Sequence, residues 1–176
     1  MEKKVTKRKN TSNKAGQNFE DKLQKKFDTM KVNGTGIINK VPTLIKLCRG
    51  AGGRIVKAFP AKQSSFLDFM GVLKGGIPIT IEAKTTTNTT SFPFSNLKDY
   101  QPKMILDYAN MGCKVFVLVE FREIKRTFIV EGTTFVKSME SIGRKSFPLS
   151  WFEANGKELK YNLSDLEEFL INVIDN

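Results

Sequence analysis

Two apolar runs, Phe66 to Leu73 and Ile77 to Lys84, are separated only by Lys74-Gly75-Gly76. Each run has strand length, and paired glycines reverse a chain without steric cost because they enter positive φ freely. A hairpin is therefore predicted, and it dictates which side chains meet. Asp68 falls near Glu82 across the pair, while Glu82 and Lys84, two residues apart, leave the same face of their strand. An E-x-K triplet on a strand is ordinarily a solvated face with a salt bridge. Here, however, Asp68 interrupts the apolar stretch Phe66-Leu67-x-Phe69-Met70, where a carboxylate without a partner is costly. Two carboxylates and an ammonium on one surface are what metal-assisted phosphodiester hydrolysis requires. The carboxylates hold Mg²⁺, a hard ion that prefers oxygen, which polarises the phosphoryl oxygen and acidifies a bound water. The lysine orients that water or offsets charge developing in the transition state.

The rest of the chain frames this hairpin. Residues Met1 to Ala15 carry six lysines and arginines among polar residues without apolar periodicity, and read as a disordered basic tail preceding one domain over residues 16–176. Phe19, Leu23, Phe27 and Met30 are spaced as the buried stripe of a helix that Asn33-Gly34 ends, with Glu20 at its edge. Thr43 to Cys48 and Arg54 to Phe59 flank the reversal Gly50-Ala51-Gly52-Gly53 and predict a second hairpin, spanning about residues 40–62. Lys40, Lys46, Arg49, Arg54, Lys57 and Lys62 sit on or beside its arms with only uncharged residues between them, so it would repel itself unless phosphates lay alongside. The run Thr85 to Ser91 is too polar for core. A helix is predicted from about Asp99, as N-cap, to Met111, with Pro102 in its first turn. Gln101 lies on or near the inward face of that helix, where its amide needs a partner, either a metal-bound water or a backbone carbonyl. Strands over Lys114–Phe121 and Thr127–Val130, a short helix from Gly132 and a closing helix capped by Ser164 complete an α/β (α+β) chain: a central mixed sheet flanked by helices.

Composition sharpens the function class. Twenty-nine Lys and Arg against 18 Asp and Glu give a formal net charge of +11, a surface suited to polyanions and above all to nucleic acid. The absence of histidine excludes serine and cysteine hydrolase triads and histidine-metal nuclease sites. Cys48 and Cys113 are isolated, which argues against zinc and for reduced thiols in a cytoplasmic protein. No apolar run approaches the length of a membrane span, so no membrane association is expected.

With these residues in view, the chain resembles the RecU family of Holliday-junction resolvases, in the PD-(D/E)xK nuclease superfamily. The resemblance runs through Asp68-Phe69-Met70-Gly71, Ile81-Glu82-Ala83-Lys84-Thr85, Thr90-Ser91-Phe92-Pro93, Tyr100-Gln101 and Val115-Phe116-Val117-Leu118. It continues to Gly143-Arg144-Lys145-Ser146-Phe147-Pro148-Leu149, and upstream takes in Gly16 to Leu23 and Lys40-Val41-Pro42-Thr43. It implies a restriction-endonuclease-like core with a protruding basic hairpin stalk that enters the open centre of a four-way junction. It also implies a homodimer and Mg²⁺, for which Mn²⁺ can substitute. On this reading Asp68 and Glu82 are metal ligands and catalytic residues, Lys84 is the transition-state stabiliser, Gln101 is a further metal-site residue, and Glu20 is a weaker candidate for the metal shell.

The chain departs from the family at Phe66, where the family has a threonine two residues before the aspartate; Ser64 or Ser65 could take its place. Leu67 likewise replaces the superfamily's proline. Two other functions use the same residues: a nuclease of the same superfamily that cuts duplex DNA, and a DNA- or junction-binding protein on an inactive nuclease core.

Overall fold

The computed structural model describes residues 3–42, 45–60 and 66–173. A long helix, α1 (Lys3–Asn33), opens the chain. It is followed by β1 (Gly36–Lys40), β2 (Ile45–Arg49), β3 (Ile55–Pro60), β4 (Phe69–Leu73), β5 (Ile77–Thr86), β6 (Ser91–Pro93), α2 (Gln101–Asn110) and β7 (Lys114–Phe121). Then come β8 (Arg126–Glu131), α3 (Gly132–Ser141), β9 (Ser146–Pro148), α4 (Leu149–Asn155), β10 (Lys157–Leu159) and α5 (Leu166–Asn172). Six strands form the central sheet in the order β1-β4-β5-β7-β8-β10. Only β5 and β7 are parallel, so the sheet is mixed as expected.

Each face of the sheet has its own core. Ile79, Ile81, Phe116 and Leu118 meet Phe19, Leu23, Phe27 and Met30 of α1 and Leu166 and Leu170 of α5. The alternate residues Val117, Val119 and Phe121 pack with Phe128 and Val130 against Ile105 of α2, Phe135 of α3 and Phe152 of α4. The strands are buried on both faces, which explains why β7 reads as a nearly continuous apolar run. On the second face, Phe92 of β6 and Phe147 of β9 stand opposite each other in a small antiparallel sheet. Phe147 stacks on Trp151 at 3.7 Å and meets Phe135 edge-on at 5.1 Å. The two S-F-P pieces that carried part of the family resemblance thus form one structural clasp.

The structure corrects several boundaries. α1 starts at Lys3, so the helix reaches back through most of the segment expected to be a disordered tail, and Ala15 is already buried. β5 runs on to Thr86, two residues into the run expected to be too polar for core, and Thr86 is buried. α2 begins at Gln101 with Tyr100 rather than Asp99 at the cap, and α5 has Asp165 rather than Ser164 in that position. The Asp165 carboxylate instead accepts from the Lys160 backbone N–H at 2.9 Å. β6, β9, α4 and β10 were not foreseen, being too short to show periodicity.

The second hairpin is formed by β2 and β3 and is a sheet of its own, not hydrogen-bonded into the central one. Gly52 and Gly53, at φ +75° and +76°, make its reversal. Lys40 is not on it: that residue ends β1 in the central sheet. Thr43, Lys62, Ser64 and Ser65 lie outside the described residues.

Gly71, in the Asp68-Phe69-Met70-Gly71 motif, stands opposite Ile38 in the antiparallel pairing of β1 with β4. A Cβ there would lie 2.0 Å from the Ile37 carbonyl oxygen and 2.6 Å from the Ile38 Cα. Because backbone must move to admit a methyl, Gly71→Ala should destabilise the fold by about 3 kcal/mol and lower the melting temperature by about 10 °C. Thermal unfolding followed by circular dichroism checks this, with an unchanged melt refuting the close approach.

Candidate active site

The glycine turn sets the register that makes the site. Gly75 and Gly76 both take positive φ, +88° and +81°, and the turn closes with Gly76 N–H donating to the Leu73 carbonyl at 3.1 Å. β4 then pairs with β5 so that Phe69 stands opposite Ile81. Asp68, one residue before β4, therefore comes to Glu82, as the sequence predicts. Its Oδ2 accepts from the Ala83 backbone N–H at 2.9 Å and lies 4.0 Å from Lys84 Nζ. Lys84 donates to Glu82 Oε1, and Gln101 Nε2 donates to the same oxygen from α2.

Exposure falls steeply across this cluster. The Asp68 side chain is 28% exposed, Lys84 14% and Glu82 fully buried. Burial pushes the Glu82 carboxyl up to about 8, against the pull of the Lys84 ammonium and with a further push from the Asp68 carboxylate. Lys84 is held above its usual range: burial would lower it, but the Glu82, Asp68 and Glu20 carboxylates together outweigh that cost. The two strand positions are thus coupled, a buried acid and a half-buried ammonium beside the more exposed Asp68 carboxylate.

Gln101 orients Glu82. Its Oε1 accepts from the Lys98 backbone N–H at 2.9 Å, which leaves the amide nitrogen as the atom facing the carboxylate. In this arrangement Gln101 turns its amide nitrogen, not its oxygen, toward the acid. Glu20 lies near the cluster on α1, but its Oε2 is ion-paired with Lys40 Nζ at 2.8 Å. Lys40 is further committed to α1 through its backbone N–H, which donates to Gln24 Oε1 at 2.8 Å.

Among the described residues no three His, Cys, Asp or Glu side chains gather as a ready-made metal cage. The donor set nevertheless suits one class of ion. Glu82 Oε2 is buried without a hydrogen-bond partner near the Asp68 carboxylate, an acceptor that a cation would satisfy. Mg²⁺ uses one or two protein carboxylates and keeps several waters, whereas zinc needs soft or imidazole donors that are absent here.

The basic hairpin lies apart from this cluster. Arg49, Arg54 and Lys57 are exposed, and Arg49 Nη1 also closes the turn by donating to the Gly53 carbonyl at 2.9 Å. Lys46 lies within β2. One further acid escaped the sequence reading. Glu120, on β7, is 9% exposed and accepts from Lys22 Nζ at 3.0 Å. Its signal was present, since it is an acid inside the apolar run Val115–Phe121.

A family model described as "RecU: Recombination protein U" matches residues 14–175. The chain belongs to the RecU family. RecU relatives described as Holliday junction resolvases include one from Pediococcus pentosaceus, 32% identical over 165 residues, covering 89% of this chain and 81% of the relative. One from Listeria welshimeri is 30% identical, covering 91% and 83%. A solved structure of Hjc, a Holliday junction resolvase from Archaeoglobus fulgidus, has the same fold at a TM-score of 0.50. It is 15% identical and covers 81% of this chain and 95% of that one.

In this RecU chain, folding favours the protonated Glu82 carboxyl. The resulting stabilisation is complete below the ordinary glutamate range of about pH 4. It is lost as the pH rises through about 8. Glu82→Gln carries an amide in place of that proton and should not show the loss. In EDTA, the melting temperature of the wild type should therefore fall relative to Glu82→Gln by about 5 °C or more between about pH 5 and about pH 9. Parallel curves would show that Glu82 is ionised throughout.

Proposed function

We propose that this chain is a Mg²⁺-dependent endonuclease, with Mn²⁺ able to replace Mg²⁺, that resolves four-way DNA junctions as a homodimer. The observation that carries the reading is the Asp68, Glu82 and Lys84 cluster, with its unsatisfied Glu82 oxygen, on a chain of the RecU family. The mixed sheet with these residues at the β4–β5 pair is what a restriction-endonuclease-like, PD-(D/E)xK core calls for.

Asp68 and Glu82 would hold the ion, with Glu20 a lesser contributor. When bound, Mg²⁺ supplies Lewis acidity toward a phosphoryl oxygen and a more acidic water. Lys84, half-buried and cationic, points at the carboxylates and can offset negative charge developing on the phosphoryl oxygens. Gln101 keeps the Glu82 carboxylate fixed in the wall of the site. In-line attack by water would leave a 5′-phosphate and a 3′-hydroxyl. A junction offers two symmetry-related strands, and a two-fold dimer offers two identical sites.

The β2–β3 hairpin is the candidate stalk. It is exposed, carries Arg49, Arg54 and Lys57 with Lys46 in β2, and leaves Ile45, Leu47, Ile55, Val56 and Phe59 uncovered. An isolated two-stranded hairpin is marginal in water, so such a surface is suited to lying against a partner that brings both phosphates and base edges.

A labelled four-way junction and a matched linear duplex, each incubated with Mg²⁺ and with EDTA, test the reading. Paired nicks are expected in the junction alone, dependent on Mg²⁺. Asp68→Asn should reduce cutting about 10³-fold while junction binding persists. Equal cutting of the duplex would indicate a duplex nuclease, and binding without cleavage under any divalent metal an inactive core. In the hairpin, Arg49→Gln and Lys57→Gln should each flatten the salt dependence of junction binding by about one unit of log–log slope. An unchanged slope would remove the stalk assignment.

A further inference from the structure

Lys22, Lys25, Lys26 and Thr29 recur along α1 at the spacing of one helical stripe. The turn Tyr161–Leu163, between β10 and α5, faces that stripe, and the two enclose a cleft of about 410 Å³. Among the described residues no carboxylate lines it. Tyr161 is 63% exposed. It is approached by two ammonium groups, Lys22 Nζ from α1 and Lys125 Nζ from the β7–β8 turn, each 5.9 Å from the ring centroid. The cleft is neither the carboxylate cluster nor the hairpin, yet it is tied to the former. Lys22 is anchored on Glu120 at 3.0 Å, and Glu120 stands in register opposite Thr85, the residue after Lys84.

Like charges stacked three and four residues apart cost a helix stability, and a polyanion lying in the cleft would relieve that cost. A water-exposed ring among lysines is the arrangement that seats a nucleobase while its backbone is neutralised. We infer that this cleft is a second DNA-contact site, which holds an unpaired nucleotide segment beside the cleavage point. The lysines meet its phosphates and Tyr161 stacks on a base. This inference rests on the nuclease reading above, and it assigns the exposed face of α1 to the DNA strand next to the one being cut.

The test uses the full chain in EDTA, so that binding is read without cleavage. Lys22 is left in place because removing it would strand the Glu120 carboxylate. Fluorescence anisotropy with a four-way junction, a linear duplex and single-stranded oligo-dT, over a range of salt, compares the wild type with Lys25→Gln/Lys26→Gln, Tyr161→Ala and Tyr161→Phe. Thermal melts verify that each variant is folded. The lysine pair should weaken junction and oligo-dT binding about tenfold and flatten the salt slope by about two units. Tyr161→Ala should weaken the same two ligands about fivefold or more while sparing the duplex, and Tyr161→Phe should restore them. Unchanged affinity and slope for the lysine pair would overturn the site and leave the cleft to an acidic protein partner. Equal losses on duplex for Tyr161→Ala would overturn the seating of an unpaired base. Failure of the wild type to cut junctions in Mg²⁺ would refute the nuclease reading alone, since the cleft is scored on binding.

Discussion

A slip of one residue between β4 and β5 would carry Asp68 away from Glu82 and turn the apolar side chains of β4 out of the core facing α1. Side chains alternate along a strand, so register and burial are one constraint. The Gly75-Gly76 turn holds the register at one end. At the other, the Asp68 carboxylate accepts from the Ala83 N–H and so both terminates the pairing and enters the site. Thr80 adds a buried bond from its hydroxyl to the Phe69 carbonyl at 2.8 Å. The acid pair exists because the strands cannot pair otherwise without exposing Phe69 and Ile81.

This arrangement is costly where it is useful. Glu82 is fully buried in the core-facing part of β5, with one oxygen shared by Lys84 and Gln101 and the other without a partner. Burying a carboxylate is tolerated only with compensating charge and donors. Lys84 and Gln101 supply part of that compensation. The apolar packing on both faces of the sheet supplies the stability that lets the remainder stand unsatisfied, as expected of a site organised for function more than for stability. The most buried member of the cluster is also the one most perturbed, while Asp68 remains partly open to solvent.

Motifs of similar weight in the sequence do different jobs in the fold. Asp68-Phe69-Met70-Gly71 holds both a candidate site residue and a glycine required by the close approach of the β1 backbone. Ser91-Phe92-Pro93 and Ser146-Phe147-Pro148 serve packing: they pair as β6 and β9 and bury two phenylalanines among the aromatics of α3 and α4. Gln101 was recognisable as a polar residue on an inward helix face. That it would donate to Glu82 was not, because this depends on how α2 lies across the sheet and on Lys98 claiming its oxygen.

The sequence alone was sufficient for the hairpin that brings Asp68 to Glu82, the shared face of Glu82 and Lys84, the packed stripe of α1 and the second, basic hairpin. All follow from local rules: turn chemistry, period-two and period-3.6 patterning, and the clustering of like charges. It was not sufficient for the reach of α1 back to Lys3, the aromatic clasp, or the commitment of Lys40 to Glu20. Nor could it show that Lys22, Lys25 and Lys26 face Tyr161. Those depend on contacts between residues far apart in the chain. Only the packing of α1 and of the β10–α5 turn beside the same sheet decides which distant side chains become neighbours.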